Sequence, residues 1–82
     1  MNFQDTVSHA RHLLASNVRR LRKAWGVSQE KLALEAGLHR SYVAHVEAEN
    51  RNVSLDNIER LAKALGVQVG DLFNDINERR PW

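Results

Sequence analysis

Helix-length pieces set off by glycine are the strongest constraint on this chain. Glycines stand at positions 26, 37, 66 and 70, and the only proline is Pro81. Proline removes a backbone donor and clashes with the preceding turn, so the interior is free of the residue that most strongly breaks helices. Between the glycines, apolar residues recur at spacings of three and four, the period of a helix with one buried face. The spacing predicts a first helix from about Thr6 to Trp25, with Val7, Ala10, Leu14, Val18 or Asn17, Leu21 and Trp25 turned inward. A short second helix follows Ser28, an N-cap residue type, with Gln29 and Glu30 in its first turn and Leu32, Ala33 and Ala36 inside. A third starts near Arg40 with Val43 and Val46 as its inner pair. Asn50 to Val53 reads as a polar connection. Ser54 caps a fourth helix with the stripe Leu55, Ile58, Leu61, Ala62 and Leu65. Val69, Leu72, Phe73 and Ile76 suggest a fifth short helix, and the tail from Asn77 to Trp82 is charged. The expected class is therefore all-α with five helices.

The chain has 82 residues, enough for one domain with a modest core. Hydrophobic residues at 43% and charged residues at 27% place it among soluble globular chains. It has no cysteine, so disulfides and thiolate metal sites are excluded. No apolar run approaches the roughly 20 residues of a membrane span, and the first residues lack the apolar block of a secretory signal. The expected location is cytoplasmic. His9 and His12 lie three apart but lack a carboxylate at zinc-site spacing, so no metal or other cofactor is expected. With no phosphate loop and no nucleophile–base pair, no enzyme is expected either. Charge is uneven: Arg11, Arg19, Arg20, Arg22 and Lys23 face only Asp5 in residues 1–27, a distribution that permits a basic face for a polyanion.

Two short helices around a tight glycine turn carry the functional signal. Gly37 lets the chain reverse, and Ala33 is small enough for close helix crossing. Both are requirements of a helix-turn-helix. In that motif the N-terminal residues of the second helix meet base edges in the major groove. Here the outward positions are Arg40, Ser41, Ala44 and His45, with Tyr42 flanking. Arginine bonds guanine bidentately, serine bonds several base edges, and alanine meets a thymine methyl. Gln29, at the start of the preceding helix, is placed to bond a phosphate beside the helix N-terminus.

Residues 13–73 resemble the lambda-repressor-like (Cro/cI, Xre) family through Arg22, Ser28-Gln29, Leu32-Ala33, Gly37, Tyr42-Val43, Val46-Glu47, Leu61-Ala62 and Leu65-Gly66-Val67. Within it, the segment HRSYVAHVEAENRN is most similar to the controller proteins of restriction–modification systems. The resemblance implies a five-helix DNA-binding domain over residues 13–76, preceded by an extension at 1–12 and followed by a tail at 77–82. It implies that Arg40, Ser41 and Tyr42 read or clamp double-stranded DNA, that Arg51 and Asn52 contact backbone or groove, and that Gln29 holds a phosphate. It also implies that Arg22 and Glu47 bridge the first and third helices. Two positions depart from the family pattern. The family often has glycine shortly after the glutamate of helix 3, where this chain reads Ala48-Glu49-Asn50, so Asn50 is expected to take the left-handed conformation. His39 stands at the N-cap of helix 3, where serine or threonine is usual. Its neutral form would cap weakly and its protonated form would add a phosphate contact.

Each assignment has a plainer reading beside it. Arg40, His45, Arg51 and Asn52 would be solvated polars, Tyr42 a lid on the core, and Arg19, Arg20 and Lys23 ordinary surface charges. Leu72, Phe73 and Ile76 would fold back on helix 4. The two-fold logic of DNA half-sites instead favours these three as the seam of a homodimer. The expected function is a transcriptional regulator on a (pseudo)palindromic operator, blocking or recruiting RNA polymerase. The alternative is an antitoxin-type module whose main partner is a protein.

Overall fold

A computed structural model describes residues 3–75, with side chains from His9 onward; Ile76 and the 77–82 tail lie outside the described residues, as does the side chain of Val7. Among the described residues there are four α-helices: α1 (Phe3–Trp25), α2 (Gln29–Ala36), α3 (Arg40–Glu47) and α4 (Leu55–Leu65), followed by a 3-10 turn, Val69–Phe73. The all-helical expectation therefore holds, but the fifth element is one tight turn. Glycine at position 70 weakens a longer helix there, and the Asp71 carboxylate closes the turn by accepting from the Gln68 backbone N–H at 3.0 Å.

The helix starts follow local chemistry. Ser28 Oγ accepts the backbone N–H of Lys31 at 3.0 Å, and Ser54 Oγ accepts that of Asn57 at 3.2 Å. Each satisfies one orphan donor of a helix N-terminus. Helix α2 packs on α3 and α4, while α1 packs across α3, α4 and the 3-10 turn. The core is built around Val18, Leu32, Val43, Leu61 and Leu72, all fully buried. Truncating one of these leucines to alanine typically costs about 2–5 kcal/mol.

Four expectations about packing need correction. Trp25 and Leu55, read as inward, are 45% and 67% exposed. They occupy the last residue of α1 and the first of α4, where the helix runs past the core. Ala10, also read as inward, is exposed. Leu72, read as part of a dimer seam, lies at 0% exposure inside the chain's own core; Phe73 beside it is only half-buried. The choice between Val18 and Asn17 on the inner face of α1 resolves as both. Buried Asn17 donates its side-chain amide to the carbonyls of Leu13, Leu72 and Asn74 at 2.9, 3.0 and 2.7 Å. A polar residue suits that site because the end of the 3-10 turn leaves carbonyls in need of donors.

Candidate nucleic-acid interface

Helix α3 divides cleanly into two faces. Val43, Val46 and the glutamate at 47 are buried at 0%, 2% and 3% exposure. Arg40, Ser41 and His45 are exposed and Ala44 is half-buried. The outward set lies in the first two turns, next to the turn from α2, and no acid stands in the first turn. His39 does occupy the N-cap position, but its side chain makes no capping hydrogen bond. The weak cap expected of it is absent, and the residue is exposed.

The orientation of α3 is fixed from its far end. Arg22 Nε donates to Glu47 Oε2 at 2.7 Å and Arg22 Nη2 to Glu47 Oε1 at 3.0 Å, while Arg22 Nη1 reaches the Val27 carbonyl at 2.9 Å. Gln29 Nε2 donates to Glu47 Oε1 at 3.1 Å, and Arg19 Nη2 to the Glu47 main-chain carbonyl at 2.6 Å. Burial by itself would push the Glu47 carboxyl up. The hydrogen bonds from Arg22 and Gln29, with the charges of Arg22 and Arg19, outweigh it and hold the carboxyl below its ordinary value. The hydrogen bond to Glu47 in turn raises the Arg22 guanidinium, against burial. A bidentate, fully satisfied pair of this kind locks α1, the start of α2 and the end of α3 in one geometry. Arg19, read as a solvated charge, is a member of this clamp. Arg20, read the same way, donates to Asn17 Oδ1 at 2.9 Å. Gln29 sits at the first position of α2 as expected, with its amide turned to Glu47; that nitrogen carries two hydrogens and Glu47 takes one.

Beyond α3, several of the residues that the resemblance assigns to DNA contact meet other side chains. The Arg51 guanidinium lies 4.7 Å from the centroid of the Tyr42 ring, a cation–π geometry. Tyr42 is half-buried against the core, so it serves as a packed platform for Arg51. His45 Nδ1 is 3.0 Å from Asn50 Oδ1. Asn52 Oδ1 accepts a hydrogen bond from Arg11 Nη2. The left-handed residue after α3 is Glu49, with φ 63°, in place of the expected Asn50. Helix α3 ends one residue too early for Asn50 to close it. The Glu49 N–H bonds the Val46 carbonyl and the Asn50 N–H bonds the His45 carbonyl, so the chain reverses at Glu49.

In the sequence Arg11 counts only toward a basic face open to a polyanion, and His12 only toward a discarded metal pair. His12 Nδ1 stands 3.1 Å from Glu49 Oε2, and these contacts bridge 37 and 41 residues of sequence, which no local pattern foretells. Among the described residues, no group of three or more histidine, aspartate or glutamate side chains is placed to hold a metal, and no helix is long and apolar enough to cross a membrane.

Comparison with known proteins agrees with this architecture. A family profile described as helix-turn-helix matches residues 18–72. The chain is 50% identical over 68 residues to control protein C.BamHI of Bacillus amyloliquefaciens, spanning 82% of this chain and 84% of that protein. Among solved structures, the restriction–modification controller protein C.AhdI of Aeromonas hydrophila superposes with a TM-score of 0.74 at 49% identity, covering 77% of this chain and 96% of that one. A hypothetical transcription factor from Neisseria superposes with a TM-score of 0.80 at 44% identity, over 83% of this chain and 78% of its own. With its glycine turn, its two-faced α3 and these relatives, the chain belongs to the Xre (lambda-repressor-like) helix-turn-helix family of transcription regulators.

Proposed function

We propose that the protein is a cytoplasmic regulator that binds a (pseudo)palindromic double-stranded DNA operator as a homodimer, in the manner of a restriction–modification controller protein. The observation that carries this reading is the exposed N-terminal face of α3, with Arg40, Ser41 and His45 directed away from a helix whose other face is locked into the core. A dimer would place two such helices in successive major grooves, roughly 34 Å apart. Arg40 would bond guanine O6 and N7, and Ser41 a neighbouring base edge. His45 has a more particular chemistry. In the tautomer whose Nδ1 donates to Asn50 Oδ1, Nε2 would be left to accept, which would suit the amino group of adenine or cytosine. The second hydrogen of the Gln29 amide, the α2 N-terminus, Tyr42, His39, Arg51 and Asn52 would fix register on phosphates. Of the residues read as the dimer seam, half-buried Phe73 would remain on the surface for a partner, whereas buried Leu72 would not. Occupancy near a promoter would then block or recruit RNA polymerase.

Selection from random duplex DNA at near-physiological salt tests the reading. An enriched palindrome with half-sites about one helical turn apart supports a dimeric regulator; no enrichment by the folded protein overturns it. On the selected operator, Arg40→Ala is expected to cost about 1–3 kcal/mol and to relax preference at one base pair. Equal loss on every sequence removes Arg40 from base reading.

A further inference from the structure

The α3–α4 loop is held by side chains that arrive from an unexpected direction. Its own buried content is small: Asn50, Arg51 and Asn52 are exposed and Val53 is only half-buried. Its reversal passes through Glu49 in the left-handed region, which a non-glycine residue adopts only against steric resistance. Left to its own sequence, such a segment would sample several conformations. Two contacts from α1 meet it. His12 pairs with Glu49, the strained residue, and Arg11 donates to Asn52, three residues on. Arg51 lies between these tied positions, and its guanidinium is presented flat over Tyr42 at the edge of the α3 face. Both α1 residues precede position 18, where the family match begins.

We propose that Arg11 and His12 are positioning residues for DNA recognition: the N-terminal extension of α1 sets the loop that presents Arg51 and Asn52 to the nucleic acid. The inference rests on the DNA-binding reading above. Magnitudes separate it from a purely structural role. The His12 and Glu49 side chains are 59% and 42% exposed, and pairs that open to water add little to global stability. A contact worth little to the whole fold still selects one arrangement of a loop whose apolar anchor is the half-buried Val53. A loop ordered before binding has less conformational freedom to lose when DNA arrives. The extension thus acts through the loop, without itself entering a groove.

The test is a double-mutant cycle on the selected operator. Arg11→Met keeps the apolar stem and deletes the guanidinium. It is expected to weaken operator binding roughly three- to tenfold in the parent background, the range for one lost hydrogen bond. In an Asn52→Ala background it is expected to change affinity less than about twofold, because the tie is already gone. Hydrogen exchange at the amides of residues 49–53 in the free protein should quicken, with the thermal midpoint unchanged. Equal losses in both backgrounds, with the salt slope reduced by about 0.9 in each, make Arg11 a direct phosphate ligand and overturn positioning. No loss in the parent background overturns it as well. If Arg11→Met lowers the thermal midpoint, the same cycle with His12→Gln against Glu49→Gln decides by the same criteria. Failure of the parent protein to select any operator would count against DNA recognition itself; failure of the cycle on a parent that binds counts against the loop inference alone.

Discussion

The two connections that flank α3 solve one backbone problem by different means. Between α2 and α3 the chain reverses at Gly37, φ 71°, with the Gly37 N–H bonded to the Leu34 carbonyl at 3.3 Å and the Leu38 N–H to the Ala33 carbonyl at 2.8 Å. After α3 the same pair of bonds recurs from Glu49 to Val46 and from Asn50 to His45, at 3.1 and 3.2 Å. The first connection is encoded within five residues, because glycine enters the left-handed region without steric cost. The second uses a residue that resists that conformation, and distant side chains hold it: His12 on Glu49, Arg11 on Asn52, and the Arg22, Arg19 and Gln29 clamp on Glu47. A turn that only has to be tight can be left to local chemistry. A loop that has to present particular side chains is better set by contacts that also set the helix beside it.

Breaking the tertiary side of this contrast should have the largest effect. Glu47→Ala leaves the 12%-exposed Arg22 side chain without its partner and is expected to cost about 3–5 kcal/mol in urea unfolding. A loss under 1 kcal/mol would mean that packing alone orients α3. The same carboxylate predicts an acid limit. Its pKa is lowered in the fold, so its stabilising contribution is complete above the unfolded value and is lost as pH falls through the lowered one. Thermal midpoints of the parent should therefore decline below about pH 4.5, and more steeply than those of Glu47→Ala.

Breaking the local side should cost less. A Cβ at Gly37 would meet nothing within 4 Å, so Gly37→Ala pays only for its left-handed conformation. That strain, less the entropy alanine removes from the unfolded chain, leaves a destabilisation of about 1 kcal/mol. The smallest effect sharpens the contrast. Glu49→Gly relieves strain but adds unfolded-state entropy and gives up the His12 contact, so global stability should rise by at most roughly 0.5 kcal/mol. A clear destabilisation in the same unfolding assay would show that the His12 contact outweighs the strain it accompanies.

Much of the fold was legible because it depends on residues close in sequence. Ser28 and Ser54 as caps, Gly37 as the reversal, and the inner set Leu32, Ala33, Val43, Val46, Ile58 and Leu61 all follow from helical period and capping chemistry. The outward placement of Arg40, Ser41 and His45 follows from the same period. Periodicity does not reveal where a helix outruns the core, so Trp25 and Leu55 were misplaced. Nor does it say which apolar residues a small core absorbs, so Leu72 reads as dimer seam or as core until the helices are packed. The Gln29 contact with Glu47 and the Arg11 contact with Asn52 were illegible for a different reason: each joins polar side chains far apart in the chain.

The amino-acid sequence by itself determined the helical class, the order of the helices and the tight turn before α3, because capping, propensity and apolar period act over a few residues. Only the tertiary structure decided which residue reverses after α3, which charges clamp Glu47, and that the first helix reaches across to the loop beside the candidate DNA-reading face. Those outcomes depend on which distant side chains come within hydrogen-bonding reach, and that is set only when the helices have packed.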